Sequence, residues 1–274
     1  MHVGSGSAAS KTEAMYIPPP RVDYSAADTS RFNIVDGAGI PVGFIDFTIT
    51  TEFKYLGSIL HHSLISDADV DKRIKSATAA FGALKNIFTN RHIDLKVKGR
   101  IYVAFCLSIL LYGFKVWCLR SDLLSRLRRF HHRCARTMCR ITIAHTIRHH
   151  ISTDSLLKRL GIEPIDTYYH RRLLRWAGHV SRMPLTRAPR KLLTGWVEHS
   201  RPIGCPQMTW GRTLKKVLKS VKLPTDFVQW RTAAADRDQW RVICGSESRT
   251  KNETPNLFRC AIWEEFRYGA AQPL

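Results

Sequence analysis

Cysteine and histidine side chains that could hold a metal ion lie between residues 134 and 149. Cys134, Cys139, His145 and His149 have the spacing Cys-x4-Cys-x5-His-x3-His, and both residue types bind zinc. On a helix the two histidine rings would share one face. The gap of five residues between the pairs is shorter than the gap of about twelve in a zinc finger, and Cys134 falls on the apolar face of its helix. A zinc-stabilised nucleic-acid-binding protein is therefore one alternative for this chain.

Acidic residues, the other common metal ligands, form one short cluster. Asp67, Asp69 and Asp71 are spaced as in a calcium loop, but the glycine and glutamate that such a loop needs do not follow. Acids in the first turn of a helix complement its dipole, and the sequence favours that interpretation. No glycine-rich phosphate loop and no acidic pair suited to two-metal chemistry stands out. The sequence therefore predicts no catalytic residue and no cofactor in this chain.

Arginines form the third group of residues that could do chemistry. Between Ile101 and Leu119 the only charge is Lys115, whereas seven arginines lie between residues 120 and 140. Apolar residues recur among them at intervals of three and four, which is the helical period. We therefore expect a buried helix followed by an amphipathic helix. One stripe along its exposed face would hold Arg126, Arg129, Arg133, Arg136 and Arg140.

Two other interpretations of this stretch remain open. The first is that the arginine face is only solvated surface, as charged helix faces often are. Against this interpretation, Asp122 is the one nearby counter-charge, and without a binding partner the seven arginines would repel one another. Residues 101–119 are also about long enough to cross a bilayer, which gives a second alternative, a helical membrane-associated protein whose basic flanks meet anionic lipid. Lys115 and Gly113 inside the run count against a membrane span, so membrane association is disfavoured.

Charge and composition limit the class of protein. Its 274 residues carry a net charge of +21, of which residues 1–60 contribute −2, residues 61–150 contribute +12 and residues 151–274 contribute +11. Nucleic acid is the usual partner of so basic a surface. A hydrophobic content of 44% is typical of globular proteins. Seven irregularly spaced cysteines and the lack of a signal-peptide pattern indicate a nuclear or cytoplasmic protein that is not secreted.

Hydrophobic periodicity gives the elements that position these residues. Strands are expected at 31–36, 42–50 and 53–60, with Gly57 breaking the alternation of the last. Helices are expected from residue 67 onward, including one that begins at Asp94 and two short ones at 212–222 and 226–243. The predicted fold is mainly α. Its predicted parts are a flexible lead-in (1–30), a β-hairpin or three-strand element (31–62), a helical bundle (63–150), a basic helical region (151–245) and a tail (246–274).

Short motifs also follow one another in a fixed order over roughly residues 10–243, and such a series is far more specific than any one motif. They are Ser10–Met15, Phe53–Ile59, Arg73-Ile74 with Ala77, Ala80-Phe81, Leu84-Lys85, Leu110–Gly113 with Trp117, Phe130 with Cys134 and Arg136, Arg171–Leu173 with Trp176–Val180, Arg182-Met183, Gly204 with Trp210, and Asp236–Arg241. This series resembles the C-terminal part of the reverse transcriptase of non-LTR (LINE-type) retrotransposons.

The resemblance implies a role for each part. Residues 53–57 would form the hairpin that grips the primer end, residues 63–150 would be a thumb that holds the template–primer duplex, and residues beyond 150 would be a post-thumb region that contacts nucleic acid. The palm's Tyr/Phe-Ala-Asp-Asp box is absent and would lie before Met1 in a parent enzyme, which alone would bind magnesium. Cys205 stands where the family usually has a basic residue, which puts its Gly-Arg-Pro motif in doubt.

Residues and resemblance together predict a non-catalytic, reverse-transcriptase-derived fragment that binds RNA or an RNA/DNA duplex and has no small-molecule substrate. The candidate nucleic-acid-binding residues are Lys54, Tyr55, Gly57, Lys72, Arg73, Lys75, Arg126, Arg129, Arg133, Arg136, Arg140, Arg171, Arg172 and Arg175.

Overall fold

The structure, a computed structural model, describes residues 13–15, 17, 31–35, 37, 40–46, 48–194 and 210–245. Most of the predicted lead-in and the whole predicted tail lie outside these ranges, as does the segment 195–209 that contains Cys205.

Short strands pair two by two at the N-terminal side of the described chain. They are β1 (Glu13–Ala14), β2 (Arg31–Val35), β3 (Pro41–Asp46), β4 (Thr48–Ile49), β5 (Glu52–Tyr55) and β6 (Ser58–His61). β1 and β4 are parallel, whereas β2–β3 and β5–β6 are antiparallel. The predicted strand at 31–36 is confirmed as β2, and the one at 42–50 is divided into β3 and β4.

Residues 53–60 form a hairpin, so their prediction as a single strand is wrong, while the hairpin implied by the resemblance is present. Tyr55 pairs with Ser58 across a two-residue turn. The turn residues, Leu56 and Gly57, have φ values of 45° and 84°. Positive φ at both central residues is typical of a type I′ turn, the turn whose twist matches that of the two flanking strands. Glycine tolerates this backbone easily, whereas leucine does so at a cost.

The rest of the described chain is mainly helical, which confirms the predicted fold class. The helices are α1 (Asp67–Ala83), α2 (Lys85–Thr89), α3 (Leu95–Ile101), α4 (Ser108–Leu110), α5 (Ser121–Met138), α6 (Ile143–Arg148), α7 (Thr153–Leu160), α8 (Ile165–Ser181), α9 (Ala188–Thr194), α10 (Trp210–Ser220), α11 (Phe227–Ala235) and α12 (Arg237–Ile243).

Side-chain caps explain several of the helix boundaries. The Asp94 carboxylate accepts hydrogen bonds from the backbone N–H groups of Lys96 and Val97 at 2.8 and 3.3 Å, so α3 begins where the sequence predicts. Asp236 caps α12 in the same way, through the N–H groups of Asp238 and Gln239. The single helix predicted at 226–243 is therefore wrong: Asp236 ends α11 and starts α12.

The apolar run from residue 101 to residue 119 is buried, but it is not one helix. α3 continues into a π-helical segment, Tyr102–Leu107, and then into α4, which ends at Leu110. Gly113 then adopts a left-handed conformation with φ 74°, and a 3₁₀ turn at Phe114–Val116 follows. The single helix that the membrane alternative required is thus absent. Within the described ranges, no helix is both long enough and apolar enough to span a membrane.

A continuous hydrophobic cluster joins the helices from α1 to α12, with the exception of α6. It extends from Val70 through Leu127 and Leu157 to Cys244, and so crosses the predicted boundary at residue 150. The Trp240 indole donates to the Leu174 carbonyl over 2.9 Å and lies where a side chain on Gly178 would be, only 2.2 Å from an ideal Cβ. Packing with α8 thus holds the C-terminal helices on the helical core. The predicted division into domains stays a prediction.

Candidate nucleic-acid interface

A buried carboxylate fastens the β5–β6 hairpin to the helices. Asp69, in the first turn of α1, is only 3% exposed. Its Oδ1 accepts the backbone N–H of Ile59 on β6 over 3.0 Å, and its Oδ2 accepts the indole N–H of Trp117 over 2.8 Å. The Arg73 guanidinium lies 3.6 Å from the same carboxylate. We call these four residues the hairpin joint. They explain why a charged side chain is tolerated in the core: it is paired and hydrogen-bonded.

Two further side chains, together with Arg73, hold the turn of the hairpin. The Gly57 carbonyl accepts hydrogen bonds from Lys72 Nζ at 2.9 Å and from Arg73 Nη2 at 2.5 Å. The Tyr112 hydroxyl donates to the Leu56 carbonyl over 3.1 Å, and the Arg73 guanidinium lies 4.4 Å from the centre of the Tyr112 ring. Arg73 is 8% exposed. Of the candidate binding residues, Lys72, Arg73 and Gly57 are therefore used within the protein to fix the hairpin.

The tip of the hairpin faces solvent. Lys54 is exposed, Tyr55 is 57% exposed and Leu56 is 77% exposed. Lys75, on α1, is also exposed. A rigid, solvated tip that carries one cation and one aromatic ring can contact a nucleic-acid strand by charge and by stacking.

α5 has the amphipathic pattern that the sequence predicts. Its inner face buries apolar residues: Leu123, Leu127, Phe130, Cys134, Ala135 and Met138. On the outward face Arg129 and Arg133 are exposed and Arg136 is half-buried. We call these three residues the arginine row. Across the described ranges, no carboxylate forms an ion pair with any of them. The pKa of His132 is lowered by burial and then by Arg136 and Arg128, in keeping with a positive surface potential here.

The predicted stripe is shorter than expected at both ends. Arg126 forms an ion pair with Asp71 of α1, so the expectation of an unpaired arginine was wrong there. α5 ends at Met138, and Arg140 adopts φ 59° beyond it, so Arg140 is exposed but does not continue the helical row.

Neighbouring arginines also have partners that sequence spacing did not reveal. Arg128 makes a bidentate ion pair with Asp166 of α8, with N–O distances of 2.6 and 2.8 Å. Arg120 reaches both Asp67 and Asp122. Asp122 is therefore not the one counter-charge of this segment, because acids from α1 and α8 fold against it.

The candidate arginines of α8 differ in their surroundings. Arg171 makes a bidentate ion pair with Glu163 at 2.7 and 2.8 Å and donates to the Cys244 carbonyl. Arg172 donates to the Leu111 carbonyl and lies over the Phe114 ring, whereas Arg175 is exposed. Arg171 and Arg172 thus join α8 to its neighbours. Whether any of these residues binds nucleic acid stays a prediction.

The zinc candidates are not gathered into a site. Cys134 is 2% exposed in the core, where burial raises the pKa of its thiol to about 12. The rings of His145 on α6 and His149 at its C-terminal end lie with centres 4.2 Å apart, tilted by 43°. Within the described ranges, no three His, Cys, Asp or Glu side chains are grouped closely enough to hold a metal ion.

The three acids that resemble a calcium loop lie at the start of α1, where Asp67 and Asp69 are in the first turn. Asp67, Asp69 and Asp71 are each paired with an arginine. The structure therefore supports their interpretation as residues of a helix start and not as calcium ligands.

A groove between α1 and α5 went unnoticed in the sequence. It has a volume of about 270 Å³. Its walls are Thr78, Phe81, Gly82, Lys85, Phe130, Arg133, Cys134 and Thr137. The lining residues come from α1 with the start of α2 and from α5, which lies far away in sequence, so no local motif marks them.

A buried histidine ties α5 to two other segments. His131 is fully buried, and its Nδ1 lies 2.9 Å from the Tyr102 hydroxyl while its Nε2 lies 3.0 Å from the Glu163 carbonyl. Burial is the main cause that lowers the pKa of His131 to about 4. The imidazole is therefore neutral near pH 7 and serves as a structural link beneath the arginine row.

The chain is similar to a protein of Caenorhabditis elegans that is described as a putative uncharacterized transposon-derived protein. The two are 26% identical over 210 residues, which are 75% of this chain and 74% of that protein. No protein-family model matches the sequence. No solved structure matches the chain.

Proposed function

We propose that this chain binds nucleic-acid duplexes through their phosphates, with the arginine row of α5 as its main contact. The observation that carries the proposal is that Arg129, Arg133 and Arg136 face outward on one helix without a carboxylate partner among the described residues. Phosphates would supply the missing counter-charge, and contacts of this kind do not depend on base sequence.

We propose that this chain derives from a transposon. More specifically, we propose that it derives from the thumb region of a LINE-type reverse transcriptase. The similarity to a transposon-derived protein supports the first part. The motif series of the sequence supports the second, together with the hairpin at residues 52–61, which lies where the resemblance implies one. Lys54 and Tyr55 at the exposed tip would then make a second contact with the nucleic acid.

The proposal also holds that the chain alone is not an enzyme. Metal-dependent phosphoryl transfer needs carboxylates that are placed to hold metal ions. The closest set, Asp67, Asp69 and Asp71, is already paired with arginines of this chain. Any polymerase activity would therefore belong to a larger parent protein.

A binding titration with a charge-matched control tests the proposal. One variant changes the three row arginines to Gln, which removes charge but keeps helix propensity. The control changes Lys158, Arg159 and Lys191 to Gln, three exposed cations of α7 and α9. With a labelled RNA/DNA duplex, the row variant should bind at least about tenfold more weakly than wild type, and the control should change little. Equal losses in both variants would mean that net charge, not the arginine row, directs binding.

A further inference from the structure

We propose that the groove between α1 and α5 takes up one unpaired nucleobase of the nucleic acid bound on the arginine row. This inference rests on the proposed function and adds to it a preference for nucleic acid that carries an unpaired base. Four observations on the groove support it.

The floor of the groove is apolar and aromatic. Phe81 contributes ring surface and is held by stacking on Phe88 with ring centres 4.5 Å apart. Phe130 is 4% exposed, and the Arg133 guanidinium lies over its ring at 5.5 Å from the ring centre. Both threonine hydroxyls of the wall are already used, since Thr78 donates to the Ile74 carbonyl and Thr137 to the Arg133 carbonyl. The Cys134 thiol stays uncharged because burial raises its pKa. Such a surface suits a flat, weakly polar ring rather than a solvated ion.

The rim of the groove is cationic. Lys85 at the start of α2 and Arg133 on α5 line it, and none of the lining residues is acidic. A ligand with an aromatic body and a negative charge at its edge complements this arrangement, and a nucleotide has both. Arg133 also belongs to the arginine row. A phosphate bound there would therefore place the adjoining base next to the groove.

The size of the groove matches a small occupant. Sites for drug-sized ligands usually measure about 300–1,000 Å³, so a volume of about 270 Å³ suits a single nucleobase. The space is also open at Gly82, where an added Cβ would meet no atom within 4 Å. The groove can therefore be filled by mutation without a clash in the core.

The test compares three duplexes and three proteins. The duplexes are fully paired, carry one unpaired nucleotide, or carry an abasic residue at that position, which keeps the phosphate and removes the base. The proteins are wild type, Gly82→Leu, which fills the groove, and the control Ala79→Leu, an exposed position on α1 outside the groove. Thr137→Leu fills the groove from α5 and serves as a second filling variant in case Gly82→Leu does not fold.

Wild type should bind the duplex with the unpaired base about five to ten times more tightly than its abasic version, as stacking of one base predicts. Gly82→Leu or Thr137→Leu should remove this preference, and Ala79→Leu should keep it. Equal affinity of wild type for the base and abasic duplexes overturns the inference, as does a preference that survives in a folded filling variant. In either case binding of the fully paired duplex would leave the proposed function standing. Failure to bind any of the three would overturn both.

Discussion

The indole N–H of Trp117 donates to Oδ2 of Asp69 over 2.8 Å, across 48 residues of sequence. The other carboxylate oxygen accepts the Ile59 N–H of the hairpin. One side chain of α1 thus connects the hairpin with the end of the buried apolar run. The hairpin is joined to α1 here, and Arg126 of α5 pairs with Asp71 of the same helix, so α1 connects the hairpin with the helix that carries the arginine row.

Removal of the Asp69 carboxylate should destabilise the fold strongly. Asp69→Ala leaves Arg73 buried without its counter-charge, which typically costs about 3–5 kcal/mol. Asp67→Ala is the matched control, because Asp67 pairs with Arg120 at the surface and such pairs contribute about 0–1 kcal/mol. Urea unfolding followed by circular dichroism measures both. Similar unfolding free energies for the two variants would show that the joint does not stabilise the fold.

Two glycines should respond to alanine in opposite directions. Gly57 has φ 84° in the hairpin turn, and a Cβ in this conformation costs about 1–2 kcal/mol. Gly82 lies inside α1 with open space around its Cβ position, so Gly82→Ala should stabilise the protein by about 0.5–1 kcal/mol through helix propensity. Thermal or urea unfolding shows whether each substitution raises or lowers the free energy of unfolding. A stabilising Gly57→Ala substitution would contradict the described turn.

His131 should make the protein less stable as the pH falls. The pKa of His131 is about 4 in the folded chain and about 6.5 in an unfolded one. Below about pH 6.5 the unfolded chain therefore gains a proton that the folded chain does not, and the free energy of unfolding should fall by about 2 kcal/mol between pH 7.5 and pH 5. His131→Gln should be less stable at pH 7.5 and show a smaller change on acidification. If the variant and wild type lose equal stability, another group causes the effect.

Primer extension by the isolated chain should yield no templated product. The test uses purified protein with template, primer, dNTPs and magnesium or manganese, and a known reverse transcriptase as positive control. The acids of the α1 start are paired with arginines, and no other described group of three acids, histidines or cysteines could hold a metal ion. Sustained templated incorporation above a mock preparation would refute the non-catalytic assignment.

Local patterns predicted the elements well, but not the partners of the charged residues. The spacing of Leu123, Leu127 and Phe130 was enough to predict α5 and its buried face. The pairing of Arg126 with Asp71 joins residues 55 positions apart, and only the packing of α1 against α5 brings them together. Periodicity alone could not show this.

The hairpin and the groove show two other limits of sequence. Along residues 53–60, the alternation of apolar and polar residues did not distinguish one strand from the two short strands of a hairpin. The turn was also hard to recognise, because Leu56 is an unusual residue for a left-handed backbone conformation. Gly82 on α1 and Thr137 on α5 both line the groove, and a Cβ on Gly82 would meet no atom within 4 Å. Such a space is a property of two packed helices and not of either sequence segment.

The dependence of duplex affinity on salt concentration shows whether the arginine row binds phosphates. Phosphate contacts release counterions, so the logarithm of affinity falls linearly with the logarithm of salt concentration. Each lost contact should reduce this slope by about one unit, and the change of Arg129, Arg133 and Arg136 to Gln should therefore reduce it by about three units on duplexes of unrelated sequence. An unchanged slope in a variant with an unchanged circular dichroism spectrum would contradict the account, because the arginine row would then be only a solvated surface.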